Sequence, residues 1–185
     1  INLKSLTLAR IHEAIERAIR TLNSDHGVRL FNLSLNVAYE YDGTRVDPLT
    51  ERLDRLSSEL GVLLVVSTGN QQVSLDGTTE GGFHVEADYP EFLVGPESRV
   101  AEPAPGALVV TVGAIARSAA PTKPDGAQLP GAQAIAAEDE ISPMTRSGPG
   151  GANCVKPDFG AYGGNWYFNQ STNQVDQNNV ALGVV

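Results

Sequence analysis

Cysteine is almost absent from this chain: Cys154 stands alone among 185 residues, which excludes an internal disulfide. One thiol is compatible with a reducing compartment without establishing one. Long hydrophobic runs are missing too, and no stretch approaches the ~20 apolar residues that a membrane span needs. Positive charge is scarce. Thirteen Lys and Arg stand against 22 Asp and Glu, a formal net charge of -9. That balance argues against nucleic acid, whose phosphates need clustered Lys and Arg, and against an anionic membrane surface. No D-x-D-x-D-G calcium loop occurs, and no glycine-rich phosphate loop follows any expected strand. Asp42, Asp47 and Asp76 are scattered loop carboxylates, read as solvated. Neither a metal nor a cofactor is therefore expected.

What is present describes an ordinary globular domain, with apolar content of 41% and charged content of 19%. The chain is long enough for one real core. It opens without Met, directly in a helical pattern, and residues 1–185 are expected to be part of a larger domain.

Apolar residues Leu3, Leu6, Ile11, Ala14, Ile15, Ala18, Ile19 and Leu22 recur at three- and four-residue spacing and predict a helix over 3–22. A turn at 23–27 and a strand over 28–35 follow. A polar loop, 36–47, precedes a second helix over 48–60, with Leu49, Leu53, Leu56 and Leu60 on one face and Pro48 at its start. Gly61 breaks it. The run G-V-L-L-V-V-S-T-G-N at 61–70 reads as a fully buried parallel strand that ends on small polar residues and delivers one amide, Asn70. Strand, helix and strand make a βαβ unit.

Residues 71–106 read as a long surface excursion with a short helix near 89–94, and 107–116 as a third buried strand. Residues 118–140 read as loop or hairpin, and 141–164 are dominated by Gly, Pro and Ser. Residues 166–168 and 174–185 read as a terminal hairpin. The expected fold class is α/β, a mainly parallel doubly wound sheet with flanking helices.

Chemistry in an open α/β sheet sits beyond the carboxyl ends of the strands. Asn70, held there by a rigid strand, could donate to a developing oxyanion. Four stretches stand in order: F-N-L-S-L-N at 31–36, V-V-S-T-G-N at 65–70, A-L-V-V-T-V-G-A at 107–114, and S-P-M-T-R-S-G-P-G at 142–150 with K-P-D-F-G-A-Y-G-G-N at 156–165. Their order and spacing resemble the subtilisin-like serine peptidases.

The resemblance implies a role for each stretch. Ser34, Leu35 and Asn36 would be a strand end that pairs with an extended peptide or protein substrate. Ser67, Thr68 and Gly69 would form the facing wall of the primary specificity pocket, and Asn70 would be the oxyanion-hole donor. Asn36 replaces the family's usual Gly and is expected to crowd the substrate strand or tighten specificity. Ala161-Tyr162-Gly163 replaces the family's A-P-G, and the stretch between 70 and 107 is longer than in compact members.

The family's catalytic Asp, His and Ser motifs do not occur in this sequence. His12 is expected on the surface of the first helix, His26 in a turn, and His84 exposed in the irregular excursion. Ser147 matches a structural turn, and Cys154 reads as an inert thiol in a Gly-rich loop. The chain is thus expected to be the region between the catalytic His and Ser, inactive alone. Helices that the whole domain packs over the sheet would be missing, so exposed apolar surface and self-association are expected. Two other readings stand beside this one: a pseudo-peptidase that binds or regulates, and an unrelated doubly wound ligand-binding domain.

Overall fold

The computed structural model describes residues 3–36, 41–123, 125–177 and 182. The side chains of Leu3 and Leu6 and most of the expected final strand beyond 177 lie outside the described residues, as do positions 37–40 of the polar loop.

Helix α1 spans Leu3–His26, about one turn longer than the apolar spacing predicts. The turn residues at 23–26 extend it because its stop signal is Gly27, at φ +65°. The Gly27 N–H bonds the Asn23 carbonyl at 3.0 Å, and Asn23 Nδ2 donates to the Val28 carbonyl at 2.9 Å. His26 is therefore the last helical residue, not a turn residue.

Strand β1 covers only Leu30–Leu33. Helix α2 spans Pro48–Leu60 as expected. Asp47 caps it, its carboxylate accepting the Leu49 N–H at 2.7 Å, so this aspartate is a structural acceptor rather than a merely solvated one. Gly61, at φ +61°, closes the other end. Strand β2 is Leu63–Ser67. It is not fully buried: Leu64 and Val66 face the core, while Leu63 is 46% exposed.

Strand β3 is Val110–Ala116. The remaining strands are β4 (Ala132–Ala134), β5 (Gly148–Pro149), β6 (Val155–Lys156), β7 (Phe159–Gly163), β8 (Tyr167–Asn169) and β9 (Gln174–Asp176). The main sheet runs β1-β2-β3-β7, every pair parallel. The protein is α/β, as the sequence predicts, but with a fourth parallel strand.

Strand β7 was hidden because F-G-A-Y-G has no apolar run. Its position is set by charge instead. The Lys156 ammonium is buried and donates to the Val109 carbonyl at 2.8 Å and to Asp158 Oδ2 at 2.7 Å. The same carboxylate oxygen accepts the Thr111 N–H at 2.7 Å. The K-P-D run thus staples β7 to β3.

The main core joins both helices to β2. Ile19, Leu49, Leu53 and Leu56 pack with Leu64, Val66, Val100 and Val109. Ion pairs bind the helices outside it: Glu16 contacts Arg20, Arg52 and Arg55, and Arg20 reaches Glu59.

Residues 71–106 are not a surface excursion. Val85, Phe92 and Leu93 form a second core with Trp166, Phe168 and Val175. Short helical turns at Glu91–Val94 and Pro96–Ser98 carry part of it. These apolar residues follow no helical or strand period, so nothing local announced their burial. The terminal hairpin β8–β9 is antiparallel as expected, and β4 adds a third strand to it.

The other two histidines also depart from expectation. His12 is buried, its Nε2 without a hydrogen-bond partner. His84 is half-buried, with Nε2 2.9 Å from the Asp76 carbonyl and its ring edge-on to Phe168.

Candidate active site

A cleft of about 620 Å³ crosses the carboxyl ends of β1, β2, β3 and β7. Ser34, the run Ser67 to Asn70, Thr145 and Tyr162 line it. This is where an open parallel sheet concentrates its exposed loop ends.

The wall at 67–70 is built by backbone bonds. Thr68 extends the β2–β3 ladder, its N–H bonding the Val112 carbonyl at 3.2 Å, while its own carbonyl accepts the Ala101 N–H at 2.8 Å. The chain must then turn sharply. Gly69 does so at φ +87°, and a Cβ there would stand 2.7 Å from the Ala101 methyl. Only glycine fits this turn.

Asn70 follows as an exposed residue in an antiparallel bridge to Thr145. The Gln71 N–H bonds the Met144 carbonyl at 2.9 Å. Arg146, 4% exposed, donates from Nε to the Asn70 carbonyl at 2.9 Å. Its Nη1 also donates to the carbonyls of Glu97 and Arg99, at 3.0 and 3.2 Å. The Asn70 peptide is pinned on both sides while its side-chain amide makes no hydrogen bond among the described residues.

The opposite wall departs from a simple strand end, since β1 stops at Leu33 and residues 34–36 follow it. Ser34 is exposed in the cleft. Leu35 turns away and packs on the main core. Asn36 reaches across to Ser67: its Nδ2 donates to the Ser67 carbonyl at 3.0 Å, and the Ser67 hydroxyl donates to Asn36 Oδ1 at 2.7 Å. Of the residues singled out by sequence, the cleft therefore gathers Ser34, Ser67, Thr68, Gly69 and Asn70. Leu35 and Asn36 stand behind it.

Arg146 and Thr145 were not singled out. Their signal was present in the T-R-S-G-P run, but only the tertiary bridge shows that they support Asn70. Thr145 also ties the cleft floor, its hydroxyl donating to the Ala114 carbonyl at 3.1 Å and accepting the Ala114 N–H at 2.5 Å. Tyr162 stands 60% exposed at the rim, with its hydroxyl donating to Asp139 at 2.7 Å. That carboxylate raises the phenol's pKa. Ser147 is held by the Leu93 carbonyl, a structural contact. No histidine lines the cleft, and among the described residues no cluster of three metal-ligating side chains occurs.

Beneath the amino end of α2 lies a buried carboxylate, Glu102. It accepts the Thr50 hydroxyl and, at 3.0 Å, the Asp47 N–H. Burial raises its pKa against those two bonds.

A protein of Sinorhizobium fredii (strain NBRC 101917 / NGR234), y4bN, is 34% identical over 160 residues, covering 83% of this chain and 35% of its own length. The chain thus spans about a third of that relative. A solved structure, that of the prenylagaramide maturation protease PagA, aligns over 64% of this chain and 30% of its own, at 22% identity and a TM-score of 0.32. The model of the subtilase family matches residues 2–183, and the chain belongs to that family of serine peptidases.

Proposed function

We propose that the cleft over β1–β3 is the substrate cleft of a serine endopeptidase, and that Asn70 donates its side-chain N–H to the oxyanion formed when a peptide carbonyl is attacked. The observation that carries this reading is the combination at Asn70: an exposed, unengaged amide on a backbone held by Thr145 and buried Arg146. Preorganised donors of this kind stabilise developing charge without reorganising. Ser34 and Ser67 to Gly69 flank the scissile residue on either side, while Leu35 and Asn36 back those walls. The nucleophile, base and orienting carboxylate come from sequence outside these 185 residues. The polypeptide alone does not hydrolyse peptide bonds.

The experiment is fluorophosphonate labelling of the whole protein beside the 185-residue chain. The expected result is a labelled serine outside this chain, no label within it, and labelling slowed ~10²–10³-fold by Asn70→Ala. A folded whole protein that takes no label refutes the enzymatic reading and leaves a non-catalytic binding domain.

A further inference from the structure

Strand β4 is an edge. Among the described residues it pairs with β8 on one side only, in the sheet order β4-β8-β9. The Gln170 N–H bonds the Gly131 carbonyl at 2.8 Å, and the Ile135 N–H bonds the Trp166 carbonyl at 2.9 Å. With Gln133 opposite Phe168 in the register, the odd-numbered residues turn their backbone groups toward β8. Antiparallel pairing alternates, so Ala132 and Ala134 turn theirs away. The Ala132 N–H is occupied by the Leu129 carbonyl at 3.2 Å. The outward carbonyl of Ala132 and both backbone groups of Ala134 remain for a further strand.

The strand lines a groove of about 820 Å³, to which Tyr89 and Pro90 also contribute. Ala119, Ala132, Ala134 and Ala136 give it short walls, so another backbone can approach closely. Edge strands are normally blunted by lysine, proline or a covering element. Here A-Q-A-I-A-A at 132–137 carries none of the first two. Among the described residues Glu140 is the only charged one lining the groove, and it is exposed, with Glu138 and Asp139 preceding it. Tyr89 is neutral, its hydroxyl donating to the Ile141 carbonyl at 2.5 Å.

We infer that the β4 edge is a docking site for an extended, lysine- or arginine-bearing peptide segment of another protein, which adds a strand beside Ala132–Ala134 and sets a cation against Glu140. A second copy of this chain is the poorer occupant, because each copy carries a net charge of -9 and would bring a like acidic rim to the edge. The site lies apart from the cleft at Asn70 and does not depend on the peptidase reading.

The test is fluorescence anisotropy of the full chain with a fluorescein-labelled peptide of alternating Lys and Val. Two comparison peptides carry Glu for Lys, or methyl groups on every backbone nitrogen. The Lys peptide is expected to bind, and both comparisons to bind at least about tenfold more weakly. Glu140→Gln is expected to weaken binding about threefold. Ala134→Pro removes an outward N–H at an edge position that accepts proline, and should abolish binding. Equal binding of the Lys and Glu peptides overturns the inference, as does tight binding of the methylated peptide to the unaltered chain. Binding that persists in a folded Ala134→Pro chain also overturns it. So does a concentration-dependent dimer that excludes the peptide, which would make a second copy the occupant.

Discussion

Asn36 and Ser67 clasp each other across the two segments that follow β1 and end β2. Each donates one hydrogen bond to the other, at 3.0 and 2.7 Å. The amide carbon of Asn36 also lies 3.6 Å from where a Cβ on Gly69 would stand, so it covers the back of that turn. Asn36→Ala should cost about 1 kcal/mol of unfolding free energy, since it leaves half-buried groups of Ser67 unpaired. A double-mutant cycle with Ser67→Ala, read by urea denaturation, should give a coupling of about 0.5–1.5 kcal/mol. Additive losses would mean that the two residues do not act as a pair.

Arg146 should matter to the cleft and to the fold together. Its guanidinium holds the carbonyls of Asn70, Glu97 and Arg99 inside the molecule. Arg146→Met keeps the volume and strands those acceptors, at a cost of roughly 2–4 kcal/mol. Arg146→Lys, able to reach only part of the set, should fall between. In the whole protein, turnover should fall with KM little changed if Asn70 is thereby loosened; equal kcat in a folded variant would count against it.

Glu102 predicts a pH dependence with a definite sign. Its folded pKa is raised, chiefly by burial. The stability it contributes is therefore fully present below the unfolded value near 4.5 and is lost as pH rises through the folded pKa. Glu102→Gln keeps an acceptor for the Asp47 N–H and, without a charge, presents an amide N–H to the Thr50 hydroxyl, which then accepts instead of donating. The variant should lack this decline, so its stability relative to the parent should rise with pH through that window. Thermal melts across pH 4 to 8, with parallel curves for both proteins, would refute the assignment.

Asp47 caps α2 through the Leu49 N–H. Asp47→Ala should lower stability by about 1 kcal/mol, and Asp47→Ser should restore most of it. Equal losses in both variants would shift the role of Asp47 to its neighbours in the Glu102 pocket.

Leu30 and Leu63 are register neighbours on β1 and β2, and they stand 62% and 46% exposed. We propose that this apolar strip drives self-association of the chain. Light scattering should report larger species that Leu30→Thr with Leu63→Thr reduces. A monodisperse monomer of the unaltered chain would refute it.

Helix α2 could be read from sequence because every cue agreed. Pro48, the leucines at 49, 53, 56 and 60, and Gly61 all belong to one local pattern, although the capping role of Asp47 did not show in it. The end of β2 at Ser67–Asn70 was legible for the same reason: an apolar run met small residues and a glycine. Asn70 emerged from that pattern and from the order of four motifs. Strand β7 and the second core did not, because F-G-A-Y-G and the scattered Val85, Phe92 and Leu93 have no period to detect.

The sequence by itself determined the α/β class, the two helices, three of the parallel strands and the family, since these rest on local periodicity and motif order. Tertiary structure alone decided which groups meet across long separations. Arg146 reaches back to the Asn70 carbonyl, Lys156 reaches Val109, and Asn36 closes on Ser67. These are polar contacts buried or half-buried by the fold. Apart from the Ser67 hydroxyl, their partners are backbone carbonyls, which every residue type presents alike, so no pattern of side chains along the chain could have named them in advance.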